Sequence, residues 1–151
     1  MTAVATREVL AIEAQEMLPP VAAIRAAFAQ RMATDLTLVT LLGGARVYYR
    51  PMKKEVEVPS VTYFDFGMRP DNRVPLIDRT VQVDIWETQV LRAEKISDRV
   101  QRLFDLQPLP LPTLEARVDF VRLTADRDEV LDDGRVVRKS LDFRVLAYAL
   151  I

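Results

Sequence analysis

The chain has 151 residues, half of them apolar and 28% charged, with a formal net charge of −1. That length supports one hydrophobic core, the apolar share excludes an intrinsically disordered chain, and 21 basic against 22 acidic residues leave no global field to draw in nucleic acid. His and Cys are absent and Gly occurs 4 times, which removes thiol and imidazole catalysis, Ser-His-Asp triads and the usual zinc sites, and with them P-loops and dinucleotide fingerprints.

Residues 6–18 suit a helix, with Thr6 as N-cap and Pro19-Pro20 as the stop. Its stripe of Val9, Leu10, Ile12, Ala14 and Met17 is shallow, so residues 1–20 read as an N-terminal helical extension and 21–151 as the domain proper. Glu8, Glu13 and Glu16 stand where a signal peptide would be apolar. The longest uncharged run, 36–45, is about half of a bilayer span. A soluble protein made in the cytoplasm is expected, with no membrane partner.

From Val21 the pattern sharpens: Val21, Ile24, Phe28 and Met32 recur at helical spacing with Ala between them. Asp35 then caps a short helix over 36–42, which Gly43-Gly44 ends. A short strand follows at 47–49, and the charged stretch 53–57 reads as a solvated loop. Residues 61–67, β-branched and aromatic, form a second strand. Residues 68–78 hold Pro70, Asp71, Asn72 and Pro75, a long turn. Residues 79–87 alternate, with Val81, Val83 and Ile85 on one face and Thr80, Gln82, Asp84 and Trp86 on the other.

A further helix spans 91–105, with Ile96, Val100 and Leu103 on its buried side. Three prolines at alternate positions from Pro108 enforce an extended connector. Strands are expected over 115–124 and 136–150, joined through Asp133-Gly134, a strong hairpin-turn pair. The order of helices, three strands, helix and two strands predicts a single α+β domain: a mostly antiparallel sheet against two main helices.

Four constellations bear on function. Asp65, Asp84 and Asp142, each on a strand, can in principle hold Mg²⁺ for phosphoryl chemistry. No Lys or His accompanies them, and a solvated sheet face explains them as well. Arg92, Lys95, Arg99 and Arg102 make a basic stripe on one helix. Glu94, Asp98 and Asp105 run beside it, with Asp98–Arg102 a favourable i,i+4 pair, so a charged solvated or subunit-facing surface is the better reading. Residues 126–133 carry five acids, on a loop longer than a hairpin needs. Trp86, on the face opposite Val83, requires cover from a helix or another subunit.

The element order, the Leu41-Leu42-Gly43-Gly44 helix end, Arg46-Val47-Tyr48-Tyr49, Val58-Pro59-Ser60, the strand 81–86 and the closing 141–145 together resemble the tail-completion (tail-terminator) family of long-tailed bacteriophages, prophages and gene transfer agents. The resemblance covers about 21–150. It implies a non-enzymatic virion protein with no catalytic residue, metal or cofactor. Its partners would be further copies in a hexameric ring, the tail tube protein at the head-proximal tube end, and a head connector or stopper protein. DNA would only pass through the lumen of the neck, and assembly would take place in the host cytoplasm. The alternatives are another neck part, such as a head-completion or stopper protein, and a metal-dependent phosphoryl-transfer enzyme. In a closed ring one patch meets a different patch of the neighbour. The two long loops lean in opposite charge directions, which places the candidate subunit or tube contacts at Arg69, Asp71, Arg73, Asp126, Glu129, Asp132 and Asp133.

Overall fold

A computed structural model describes residues 18–49, 57–67, 75–132 and 134–150. The expected N-terminal helix, apart from Leu18, lies outside the described residues, as do 53–56 of the charged loop and 68–74 of the long turn. Helix α1 is Pro20–Thr34 and α2 is Leu36–Leu42; strands β1 (Val47–Tyr49), β2 (Ser60–Gly67) and β3 (Leu76–Glu87) follow. Helix α3 is Val90–Phe104, and β4 (Ala116–Leu131) and β5 (Val136–Ala149) close the domain. The sheet order is β1-β2-β3-β5-β4; only the β1–β2 pairing is parallel. The α+β architecture is the one the sequence predicts.

Each boundary has a local cause. Pro20 opens α1, because a proline at the first helical position gives up an N–H that would have had no partner. The Asp35 carboxylate accepts from the Leu38 N–H at 2.9 Å and caps α2. Gly43, at φ 72°, lets the chain turn left-handed, and the Gly43 and Gly44 N–H groups donate to Thr40 (3.2 Å) and Val39 (3.0 Å).

One sheet face carries the core. Val81, Val83 and Ile85 of β3 and Leu141, Phe143 and Val145 of β5 are inaccessible to solvent beneath Phe28, Met32, Ile96, Val100 and Phe104. Phe28 stacks on Phe104 with centroids 4.1 Å apart, and both rings lean on Phe143 at 6.0 and 5.6 Å. Such aromatic packing adds about 0.5–1.5 kcal/mol per pair beyond area burial.

Two expectations are corrected. The acidic stretch from Asp126 is not a loop: β4 runs on to Leu131 and pairs with β5 up to Leu131↔Val136. The strands part only after Leu131 and resume at Val136, with Asp132 at φ 54° and the Arg135 N–H donating to the Asp132 carbonyl at 3.1 Å. Likewise the long turn after Gly67 ends earlier than 78, since β3 begins at Leu76 and Asp78 already pairs with Leu146.

Candidate functional site

The sheet face away from the helices is the surface most of the predicted chemistry reaches. Strand alternation puts Thr62, Asp84 and Ser140 in one cross-strand row, and Ser60, Trp86, Arg138 and Glu129 in the next. Asp84, buried, accepts from Ser140 Oγ (2.6 Å), Gln82 Nε2 (2.9 Å) and Arg138 Nη2 (3.1 Å). The Arg138 guanidinium lies 5.2 Å from the Trp86 ring centroid and also donates to Glu129 at 3.3 Å. Trp86 Nε1 donates to Thr62 Oγ1 at 2.9 Å. None of the described helices covers Trp86. The sequence demands a cover for it, and the structure supplies one from the same face in Arg138.

Further along that face the pattern repeats. Arg127 grips Asp142 with two bonds, 2.9 and 3.0 Å, and that hydrogen bond, more than charge alone, holds the Arg127 guanidinium above its usual pKa. Arg144 grips Asp78 at 3.0 and 2.8 Å and pulls its carboxyl below the ordinary carboxylate range, against a weaker opposing effect of burial. Beyond these pairs the face turns aromatic: Phe64 and Phe66 lie 5.9 Å apart, and Phe66 and Tyr148 are exposed.

The three strand aspartates are not brought together. Asp65 points to the opposite, helix-bearing side, where Arg79 pairs with it and Arg25 approaches to 3.5 Å. Tyr49 completes that corner, accepting from Arg25 at 3.3 Å and facing Asp65 at 3.4 Å. With each of the three carboxylates beside a guanidinium and split between two faces, the arrangement can bind and orient but assembles no shared metal cage. Among the described residues no group of three acidic side chains is placed to hold a metal ion. Nor is any described helix long and apolar enough to cross a membrane.

Of the predicted contact residues, Arg69, Asp71, Arg73 and Asp133 lie outside the described residues. Asp126, Glu129 and Asp132 are exposed along the β4–β5 hairpin. Pairing across the hairpin consumes much of the acidity: Lys139 bonds Asp128 at 2.8 Å and Arg138 bonds Glu129. Asp126 and Asp132 have no ion pair among the described residues and are the acids this tip offers outward.

The basic stripe on α3 does less outward work than its spacing suggests. Arg99 turns to Asp35 with two bonds, 2.8 and 2.6 Å. Arg102 makes the expected pair with Asp98 at 2.9 Å, and Arg92 leans to 3.7 Å from Glu87. Glu87, fully buried, accepts from the Thr88 (2.7 Å) and Gln89 (3.3 Å) N–H groups and so serves the first turn of α3, where Gln89 makes no side-chain cap. No spacing signal marks Glu87, because its role depends on which way the strand end faces.

Known proteins resemble this chain in family and in fold. The family described as "Tail completion protein gp17" matches residues 26–148. No curated protein matches. A chain of the solved structure "Virion of native gene transfer agent (GTA) particle" superposes with a TM-score of 0.68 at 16% identity, over 83% of this chain and 95% of that one. A second solved structure superposes with a TM-score of 0.51 at 13% identity, over 85% and 94% of the two chains. At such identities the likeness is one of fold.

Proposed function

The chain belongs to the tail completion protein gp17 family, a family of phage tail structural proteins, and we propose that it is the tail terminator of its particle. In this reading copies of the chain close into a ring, six in number, at the head-proximal end of the tail tube. One side of the ring caps tube subunits, the other receives the head connector or stopper protein, and DNA slides through the lumen. The protein works by assembly without catalysis, within a virion neck put together in the host cytoplasm.

The observation that carries the reading is the family match, which runs from α1 through β5 and so spans the helix layer and all five strands. The surface chemistry supports it. Arginine–carboxylate pairs neutralise the open sheet face. A near-neutral surface suits a passage that DNA must slide through, since net attraction would add salt-dependent friction.

Native mass spectrometry and electron microscopy of the purified chain, alone and with tail tube protein, test this. The expected result is a closed six-membered ring seated at one end of each tube. A chain that stays monomeric and leaves tube ends bare, or one that binds only the head connector, overturns it.

A further inference from the structure

Exposed apolar side chains gather where the described chain starts. The Leu18 carbonyl accepts from Thr113 Oγ1 at 2.9 Å, which pins the start of the domain to the far end of the proline connector. Beside it stand Leu114 and Leu150, 72% and 51% exposed. The connector leads back from there to Leu106, 71% exposed, whose N–H donates to the Val121 carbonyl at 2.8 Å. Between connector and β4 runs a groove of about 440 Å³, lined by Leu106, Leu109, Val118 and Phe120, with Arg117 and Asp119 also on its walls.

We propose that this groove is the seat of the chain's own residues 1–17. Those residues include ten apolar ones, with Val9, Leu10, Ile12 and Met17 able to meet Leu106 and Phe120. They also carry three glutamates against one arginine, and Glu13 or Glu16 can meet Arg117. Reach is sufficient: seven connector residues span roughly 23 Å at about 3.3 Å each, and seventeen residues cover about 25 Å even as a helix. The Leu18–Thr113 bond favours an intramolecular occupant over a neighbour's segment. A short tether gives an effective concentration in the millimolar range, so a contact too weak to hold a second chain is filled by the attached one. The seated segment would cover apolar side chains at the β4 edge that no other described element reaches. This inference stands apart from the ring: it concerns one chain and holds for a monomer or a hexamer.

The full chain has no cysteine, so introduced thiols report alone. Asp119→Cys, exposed in the groove, is combined in turn with Val9→Cys, Ile12→Cys and Glu16→Cys. Control chains carry Glu94→Cys, on the exposed side of α3, with the same three partners. Far-ultraviolet circular dichroism checks each fold; Gln107→Cys replaces Asp119→Cys if that variant misfolds. Under mild oxidant and dilute protein, at least one groove pair should close within a single chain tenfold faster or more than every control pair. Groove and control pairs closing at the same rate would overturn the proposal. So would disulfides that join two chains and rise with protein concentration, because the occupant is then a second copy.

Discussion

Asp35 shows how one side chain serves two levels of structure. Its carboxylate caps α2 through the Leu38 N–H and holds α3 through two bonds from Arg99. The Arg99 hydrogen bonds are the main reason its pKa lies below the usual carboxylate value, with burial opposing. Asp78 is lowered in the same way by Arg144. A carboxyl depressed in the folded state adds stability that is fully present above its unfolded value of about 4. That stability is lost as pH falls through the folded value. Urea midpoints followed by Trp86 fluorescence should therefore drop below about pH 4. Asp35→Asn should flatten that drop, since Asn still caps a helix but has no charge to lose, whereas Asp35→Ala should cost about 1 kcal/mol at neutral pH. Equal pH profiles for wild type and Asp35→Asn would deny the ion pair its part. The cap was legible in the sequence because Asp precedes an apolar run ended by Gly43. The partner was not, because Arg99 lies 64 residues away and nothing in either local pattern names the other.

At the scale of elements, the helix layer is held to the sheet by the Phe28–Phe104–Phe143 cluster and to the connector by Arg31. Arg31 donates to the carbonyls of Leu103 (3.0 Å) and Pro108 (2.7 Å) and lies 5.7 Å from the Phe104 ring centroid. It thereby closes the last turn of α3, where carbonyls lack helical partners. Burial lowers its pKa, yet a guanidinium stays charged across the accessible range. Phe143→Ala should cost about 3–5 kcal/mol by denaturant unfolding, and Arg31→Ala about 1.5 kcal/mol, from bonds to a charged donor that is partly wet. Amide exchange at Leu106 should quicken in Arg31→Ala while β3 amides keep their protection. Loss limited to the helices, or none, would separate the connector from this clamp. The same elements explain what could be read beforehand. Helices and β3 declare themselves because one buried face imposes an unbroken period. In β4 the register shifts between Val118 and Phe120 and again between Leu123 and Ala125, so alternation fails twice. Past the second shift Asp126, Asp128 and Val130 occupy the helix-side positions but stay exposed. A strand without a covered face loses its apolar signature and reads as an acidic loop.

For the whole molecule the two sheet edges are unequal, which bears on the proposed ring, where copies would have to join without aggregating. Strand β1 offers three residues. Strand β4 is long, but its edge is bent by two bulges, crossed by bonds from Leu106 and Asp105 and charged along its outer half. These are the usual means of denying a sheet edge to unwanted strands. In the proposed ring, ordered contact between subunits then has to come from side chains, and the β4–β5 hairpin is one place that keeps exposed acids without an ion pair among the described residues, Asp126 and Asp132. A ring interface joins unlike patches, so a neighbour or a tube subunit meeting this tip would present basic groups, with Arg69 and Arg73 the candidates from the sequence. Asp126→Lys combined with Asp132→Asn tests the tip without disturbing the fold. Asp126 is exposed, and Asn tolerates the left-handed backbone that Asp132 adopts at φ 54°. Unfolding free energy should stay within about 0.5 kcal/mol of wild type. The population of rings and the fraction of capped tubes should fall, by more at low salt than at physiological salt, where a Debye length of about 8 Å already weakens exposed attractions. Wild-type assembly and capping by the double variant at both salt concentrations would leave the hairpin tip as a solvated end with no part in the neck.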